Sequence, residues 1–153
     1  MEDDLLKENG RQPVNSAVIE FQSKSNNEGF ARVIAAAFVS QLDPTLEEIA
    51  DVKTAVSEAV TNAIIHGYEG RQGSVRMECV LYEDSVVISI SDKGKGISDI
   101  EQARQPLYTS RPDLERSGMG FTIMETFMDR LEVFSKPGEG TTVTLYKIFK
   151  SLA

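Results

Sequence analysis

Helices packed on one face of a mainly antiparallel sheet, a two-layer α+β sandwich, is the fold class that this sequence predicts. The periodicities run strand, helix, helix, strands, long connection, helix, strands. Turn signals between neighbouring strands favour hairpins over crossovers. A length of 153 residues, 41% of them hydrophobic and 26% charged, suits one domain around one shared core.

Residues 1–13 are polar and have no periodicity that could bury a face, so they are expected to form a mobile arm. Residues 14–153 are expected to form the single domain. Val18, Ile19 and Phe21 mark a short first strand. After Ser25-Asn26-Asn27, a natural helix start, Phe30, Val33, Ile34, Ala37 and Phe38 recur at helical spacing as one apolar stripe, and Asp43-Pro44 ends that helix. Thr45-Leu46-Glu47-Glu48 reads as a capping box opening a second helix, from about Leu46 to Ile65 with a stop at Gly67. Its core face carries Val52, Val56, Ala59, Val60, Ala63 and Ile64, and its polar face Asp51, Glu58, Asn62 and His66.

Gly67 to Gly73 reads as a loop, followed by a hairpin with strands over 75–82 and 86–91. Ile97 to Gly120 is a long connection containing Pro106 and Pro112, a length typical of a functional lid. Phe121 to Leu131 is a third amphipathic helix with Met124, Phe127, Met128 and Leu131 inward. A hairpin around Pro137-Gly138-Glu139-Gly140 closes the chain.

Sixteen Lys plus Arg against 24 Asp plus Glu give a net charge of −8, which argues against direct nucleic-acid binding through clustered cations. An acidic chain can still hold a locally positive nucleotide pocket or meet a basic protein partner. No apolar run approaches the ~20 residues needed to cross a bilayer, the acidic start does not resemble a secretion signal, and the lone Cys79 cannot form an internal disulfide. A cytoplasmic protein, away from membranes, is expected. Cys79 itself reads as a small apolar strand residue.

Three motifs carry candidate chemistry. Asp92-Lys93-Gly94-Lys95-Gly96-Ile97 ends a strand; its glycines allow close backbone approach to a flat ligand, and an ionised Asp is a pure acceptor suited to the amine of adenine. The same residues suit a plain turn. Glu58 and Asn62 stand one helical turn apart on one face, an amide oxygen for Mg2+ beside a carboxylate able to take a proton. Solvated helix faces also carry such pairs. Arg116-Ser117-Gly118-Met119-Gly120 precedes a helix, where glycines expose amides to an anion and Arg116 adds a permanent charge. It is neither a Walker loop nor a dinucleotide fingerprint.

Together and in this order, these elements resemble the GHKL ATPase/kinase superfamily, with its Bergerat ATP-binding fold. That superfamily includes gyrase, heat-shock chaperone and MutL ATPase domains and histidine-kinase catalytic domains. The strings Ser57-Glu58-Ala59-Val60-Thr61-Asn62-Ala63-Ile64-Ile65-His66-Gly67-Tyr68, Gln102-Ala103-Arg104-Gln105-Pro106-Leu107 and Leu114-Glu115-Arg116-Ser117-Gly118-Met119-Gly120-Phe121-Thr122-Ile123-Met124-Glu125 narrow the resemblance. They are similar to the bacterial anti-sigma F factors, serine-protein kinases of sporulation, over about Asn15 to Phe149.

The resemblance implies a cytoplasmic homodimer that inhibits sigma factor F and uses ATP to phosphorylate a serine of its anti-anti-sigma antagonist. It implies that Glu58 is the catalytic base, with Arg116 stabilising the γ-phosphate. Asn62 would be the Mg2+ ligand and Asp92 the adenine acceptor, with Gly94, Gly96 and Ile97 at the base. Thr109, Ser110, Ser117, Gly118, Met119 and Gly120 would belong to the phosphate-covering lid and turn. Thr142 would support the aspartate, and Arg32 would bind the partner at the dimer face or else be a solvated helix arginine. A related stress-response anti-sigma serine kinase and a free-standing histidine-kinase-type ATPase domain share most of these features. The last could act only in trans, because the single histidine, His66, lies in the nucleotide-binding helix.

Overall fold

The computed structural model describes residues 11–106 and 120–152. Strand β1 (Asn15–Gln22) leads into helix α1 (Asn26–Val39) and a 3-10 turn, Ser40–Leu42; helix α2 spans Leu46–Asn62 and widens into a π turn, Ala63–Gly67. Strands β2 (Ser74–Leu81) and β3 (Ser85–Asp92) form a hairpin. A short helix α3 (Ile100–Ala103), helix α4 (Gly120–Phe127), strands β4 (Arg130–Lys136) and β5 (Gly140–Ile148) and a 3-10 turn, Lys150–Leu152, follow. The sheet order is β1-β2-β3-β5-β4, with every pair antiparallel. Alternate residues of each strand therefore face either the helices or the open side.

The core lies between the sheet and helices α1, α2 and α4. Val52, Val56, Ala59, Val60, Ala63 and Ile64 of the second helix are buried in it as expected, against Val75, Met77, Ile88, Ile90, Val143 and Leu145 of the strands. Cys79 is buried too, and burial pushes its thiol up to about 12, so it packs as an apolar residue.

Three expectations need correction. Helix α1 buries Ala31, Ala35 and Val39 completely, while Phe30 is 51% and Val33 61% exposed and Ala37 is exposed as well. Ile34 and Phe38, on the border between the two arcs, pack partly against the core. Periodicity finds an apolar arc but cannot tell that alanines allow the closest approach to α2. The third helix ends at Phe127, so Leu131 is buried from strand β4, while Phe127 lies 37% exposed. The long connection is also not wholly irregular: α3 forms within it, its N-terminus closed by Asp99 Oδ1 accepting the Gln102 amide at 3.0 Å.

The capping box forms and extends further than its own helix. Thr45 Oγ1 accepts the Glu48 amide at 3.1 Å, and Glu48 Oε1 accepts the Thr45 amide at 3.0 Å. Glu48 also accepts from the Ser151 hydroxyl, tying the chain's end to the start of α2. Burial pushes the Glu48 carboxyl up, but these hydrogen bonds more than offset it and hold it down to about 2. A carboxyl depressed by folding stabilises the fold above the ordinary carboxylate range and loses that contribution as pH falls towards 2. Glu48→Ala should therefore lower stability at neutral pH by about 1 kcal/mol. In denaturant melts its gap to the parent should close between about pH 5 and pH 2; a gap independent of pH would show that the carboxylate charge contributes nothing.

Candidate functional site

A cavity of about 310 Å³ opens between the C-terminal half of α2, the ends of β3 and β5, and the segment 95–103. That volume falls at the lower end of the range for small-molecule pockets. Its lining brings together five of the residues singled out from sequence: Asn62, Asp92, Gly96, Ile97 and Gly120. Ala59, Ala63, Ile90, Phe121 and Val143 supply apolar walls, and His66 and Lys95 add polar groups to the lining.

Asp92 is the last residue of β3 and is only 8% exposed. Burial pushes its carboxyl up to about 6, against the opposing pull of the Gly94 and Thr141 amides. The Gly94 amide donates to Asp92 Oδ1 at 2.9 Å, so one carboxylate oxygen is used within the loop. Packing around this carboxylate excludes side chains. A Cβ at Gly67 would lie 2.8 Å from Asp92 Oδ1, and a Cβ at Gly94 would lie 2.0 Å from the Gly67 carbonyl oxygen. Gly94 thus stands behind the aspartate instead of lining the cavity, and its role is close approach between loop and helix end.

The surrounding backbone is stitched across three segments. Lys95 N donates to Gly67 O at 2.9 Å, Gly138 N to Lys95 O at 2.6 Å, and Ile97 N to Ser135 Oγ at 2.7 Å. The Lys95 ammonium pairs with Glu69 at 3.1 Å. This end of the cavity is therefore preformed, with an acidic acceptor at its floor and a backbone framework that holds it.

Glu58 precedes Asn62 by one turn of α2 and is half-buried; it does not itself line the cavity. Arg32 of α1 bonds Glu28 at 3.0 Å and reaches Ser57 Oγ at 3.4 Å, joining α1 to α2 next to Glu58. Thr142 does not support Asp92. Its hydroxyl pairs with Ser91 Oγ at 2.9 Å on the opposite face of the sheet, while Thr141 pairs with Asp92 across the β3–β5 ladder and lines the cavity. The two threonines are adjacent, and strand alternation sends them to opposite faces. Thr109, Ser110, Arg116, Ser117, Gly118 and Met119 lie outside the described residues.

Sequence reasoning also missed Gly67, Thr141 and the apolar walls. Gly67 ended a helix in the sequence, and only the approach of β3 makes it a wall for Asp92. The π turn Ala63–Gly67, closed by the Tyr68 amide on Ala63 O at 3.2 Å, left no signal in the periodicity. Such turns recur at functional sites. Among the described residues, no group of three or more His, Cys, Asp or Glu could hold a metal ion by itself, and no helix is long and apolar enough to cross a membrane.

Residues 21–147 match the family of histidine kinase-like ATPase domains. A protein of Clostridium beijerinckii called anti-sigma F factor is 69% identical over 136 residues, covering 88% of this chain and 95% of its own length. An anti-sigma F factor of Clostridium kluyveri is 60% identical over 139 residues, covering 91% and 98%. The crystal structure of the RsbU and RsbW domains of a Mycobacterium tuberculosis protein superposes with a TM-score of 0.64 at 21% identity, over 89% of this chain and 32% of that one. The last likeness concerns the fold.

Proposed function

Because the chain belongs to the anti-sigma F factors within the histidine kinase-like ATPase family, we propose that it is an ATP-dependent protein-serine kinase. We also propose that it binds and inhibits sigma factor F and phosphorylates a serine of an anti-anti-sigma protein. The observation that carries the nucleotide reading is one preformed cavity with Asp92 at its floor and Asn62 on its helical wall. The adenine amine donates to the carboxylate of Asp92, which is buried and can only accept when ionised. Gly96 and Ile97, which line the cavity, would flank the base, and Asn62 and Gly120, on the same lining, would take the phosphate side.

Mg2+, held with the nucleotide, would neutralise charge on the phosphate oxygens, with the Asn62 amide oxygen as its protein ligand. Such an ion takes few protein ligands and completes its shell with phosphate oxygens and water. Glu58, a turn away, takes the proton from the attacking serine hydroxyl, and Arg116 steadies the γ-phosphate. Thr109, Ser110, Ser117, Gly118 and Met119 complete the phosphate side.

The protein acts as a cytoplasmic homodimer through the face of α1. Its exposed Phe30 and Val33 offer apolar surface there, and Arg32 stands beside them for a protein partner. The net charge of −8 complements the basic regions of a sigma factor. The test is incubation with the cognate anti-anti-sigma protein and ATP labelled at the γ-phosphate. Label on serine is expected; label on histidine would move the protein to the histidine-kinase class, and no label would remove the kinase assignment.

A further inference from the structure

The π turn delivers the chain to Tyr68, a residue buried to 6% exposure that does not line the cavity. Its ring packs against Gly73 in the turn before β2, where a Cβ would stand 2.2 Å from the ring's Cε1. Its hydroxyl bridges two strands' ends: it donates to Ser74 O at 2.5 Å and accepts from the Lys93 amide at 2.8 Å. A phenol has one proton, so a carbonyl on one side and an amide on the other satisfy it completely.

The second of these bonds matters for the site. Lys93 is the first residue beyond the ladder, since β3 pairing ends with Asp92 opposite Val75 on one side and Thr141 on the other. The Lys93 N–H belongs to the same peptide plane as the Asp92 carbonyl. Fixing that plane fixes the rotation of Asp92 about its last backbone bond, and with it the turn that returns the Gly94 amide to Asp92 Oδ1 at 2.9 Å. On the other side, the Cα of Gly67, the neighbour of Tyr68, closes against the carboxylate. One residue pair at the helix end therefore holds the aspartate from two directions.

We propose that Tyr68 is a positioning residue for adenine nucleotides, its hydroxyl locking the Asp92–Lys93 peptide so that the Asp92 carboxylate is held in the orientation that meets the base. The proposal rests on the reading of Asp92 as the adenine acceptor. Tyr68 touches no ligand and acts through Asp92 alone. Its loss is expected to weaken recognition of the base and to leave the fold in place.

The test measures ADP and GDP binding by calorimetry to the parent protein, Tyr68→Phe, Asp92→Asn and the double variant, with thermal melts beside each. Tyr68→Phe keeps the ring and should raise the Kd for ADP about five- to tenfold, the loss of roughly one hydrogen bond's worth of alignment. The preference for ADP over GDP should fall in parallel, a readout that general loosening would not move. The double variant should bind no more weakly than Asp92→Asn alone, because both changes act on one contact.

Parent-like ADP binding by Tyr68→Phe would overturn the proposal while leaving Asp92 as the acceptor. Additive losses in the double variant would overturn it too, since Tyr68 would then act elsewhere. Parent-like binding by Asp92→Asn would remove the adenine reading and the proposal with it. If Tyr68→Phe does not fold, amide exchange in the parent protein decides: a protected Lys93 N–H supports the lock, and an unprotected one overturns it.

Discussion

Glu58→Gln should reduce phosphotransfer to the serine substrate by on the order of 10²–10⁴-fold while leaving ADP and ATP affinity nearly unchanged. The change is isosteric, and Glu58 does not line the cavity in which Asn62 and Asp92 meet. What it removes is a proton acceptor placed one turn from Asn62 on the same side of α2, where Gln has no basic oxygen to offer. Arg32, bonded to Ser57 beside it, should keep α1 and α2 in register in the variant. Single-turnover labelling separates the chemical step from binding. A variant that phosphorylated its substrate at the parent rate would strip Glu58 of the base role. One that lost ADP binding as well would show that Glu58 supports the cavity.

Asp92→Asn should weaken ADP binding at neutral pH by about ten- to a hundredfold, the cost of replacing a charged acceptor with an amide in a desolvated site. The pH dependence supplies a second, independent signature. Burial raises the Asp92 carboxyl to about 6 in the free protein. A carboxyl raised by folding stabilises the fold while protonated, below the ordinary carboxylate range, and that contribution is lost as pH rises through about 6. At neutral pH the free protein therefore carries a desolvated carboxylate that a donor in the cavity would relieve.

On the proposal that Asp92 accepts from the base, binding requires its ionised form, so affinity should be full above about pH 6 and fall by up to about tenfold per pH unit below it. The step should vanish in Asp92→Asn. Any contribution of His66, which lines the same cavity, would persist in the variant and so be told apart. A parent protein whose ADP affinity stays flat between about pH 7.5 and pH 5 would contradict an ionised acceptor at the base.

The aspartate and its glycines, the helix with Glu58 and Asn62, and the capping box at Thr45 and Glu48 were all legible in the sequence, because each depends on neighbours within a few positions. A capping box is two side chains bonding two amides three residues apart, and the structure forms it as written. The buried face of α2 was legible for the same reason: helical spacing puts Val52, Val56, Ala59 and Val60 on one side whatever they meet.

Facing partners were not legible. Which arc of α1 turns inward depends on how closely α2 approaches, so Ala31 and Ala35 are buried and Phe30 and Val33 are not. Whether Thr141 or Thr142 stands beside Asp92 depends on the β3–β5 register, and an offset of one residue reverses the face. Gly67 and Tyr68 read as a helix stop and the start of a loop, yet against β3 they close around Asp92 and hold the peptide that follows it. The sequence by itself determined the family, the order of elements and the chemistry available. Only the tertiary structure decided which of those groups share a cavity, because register and close approach are set by contacts between segments far apart in the chain.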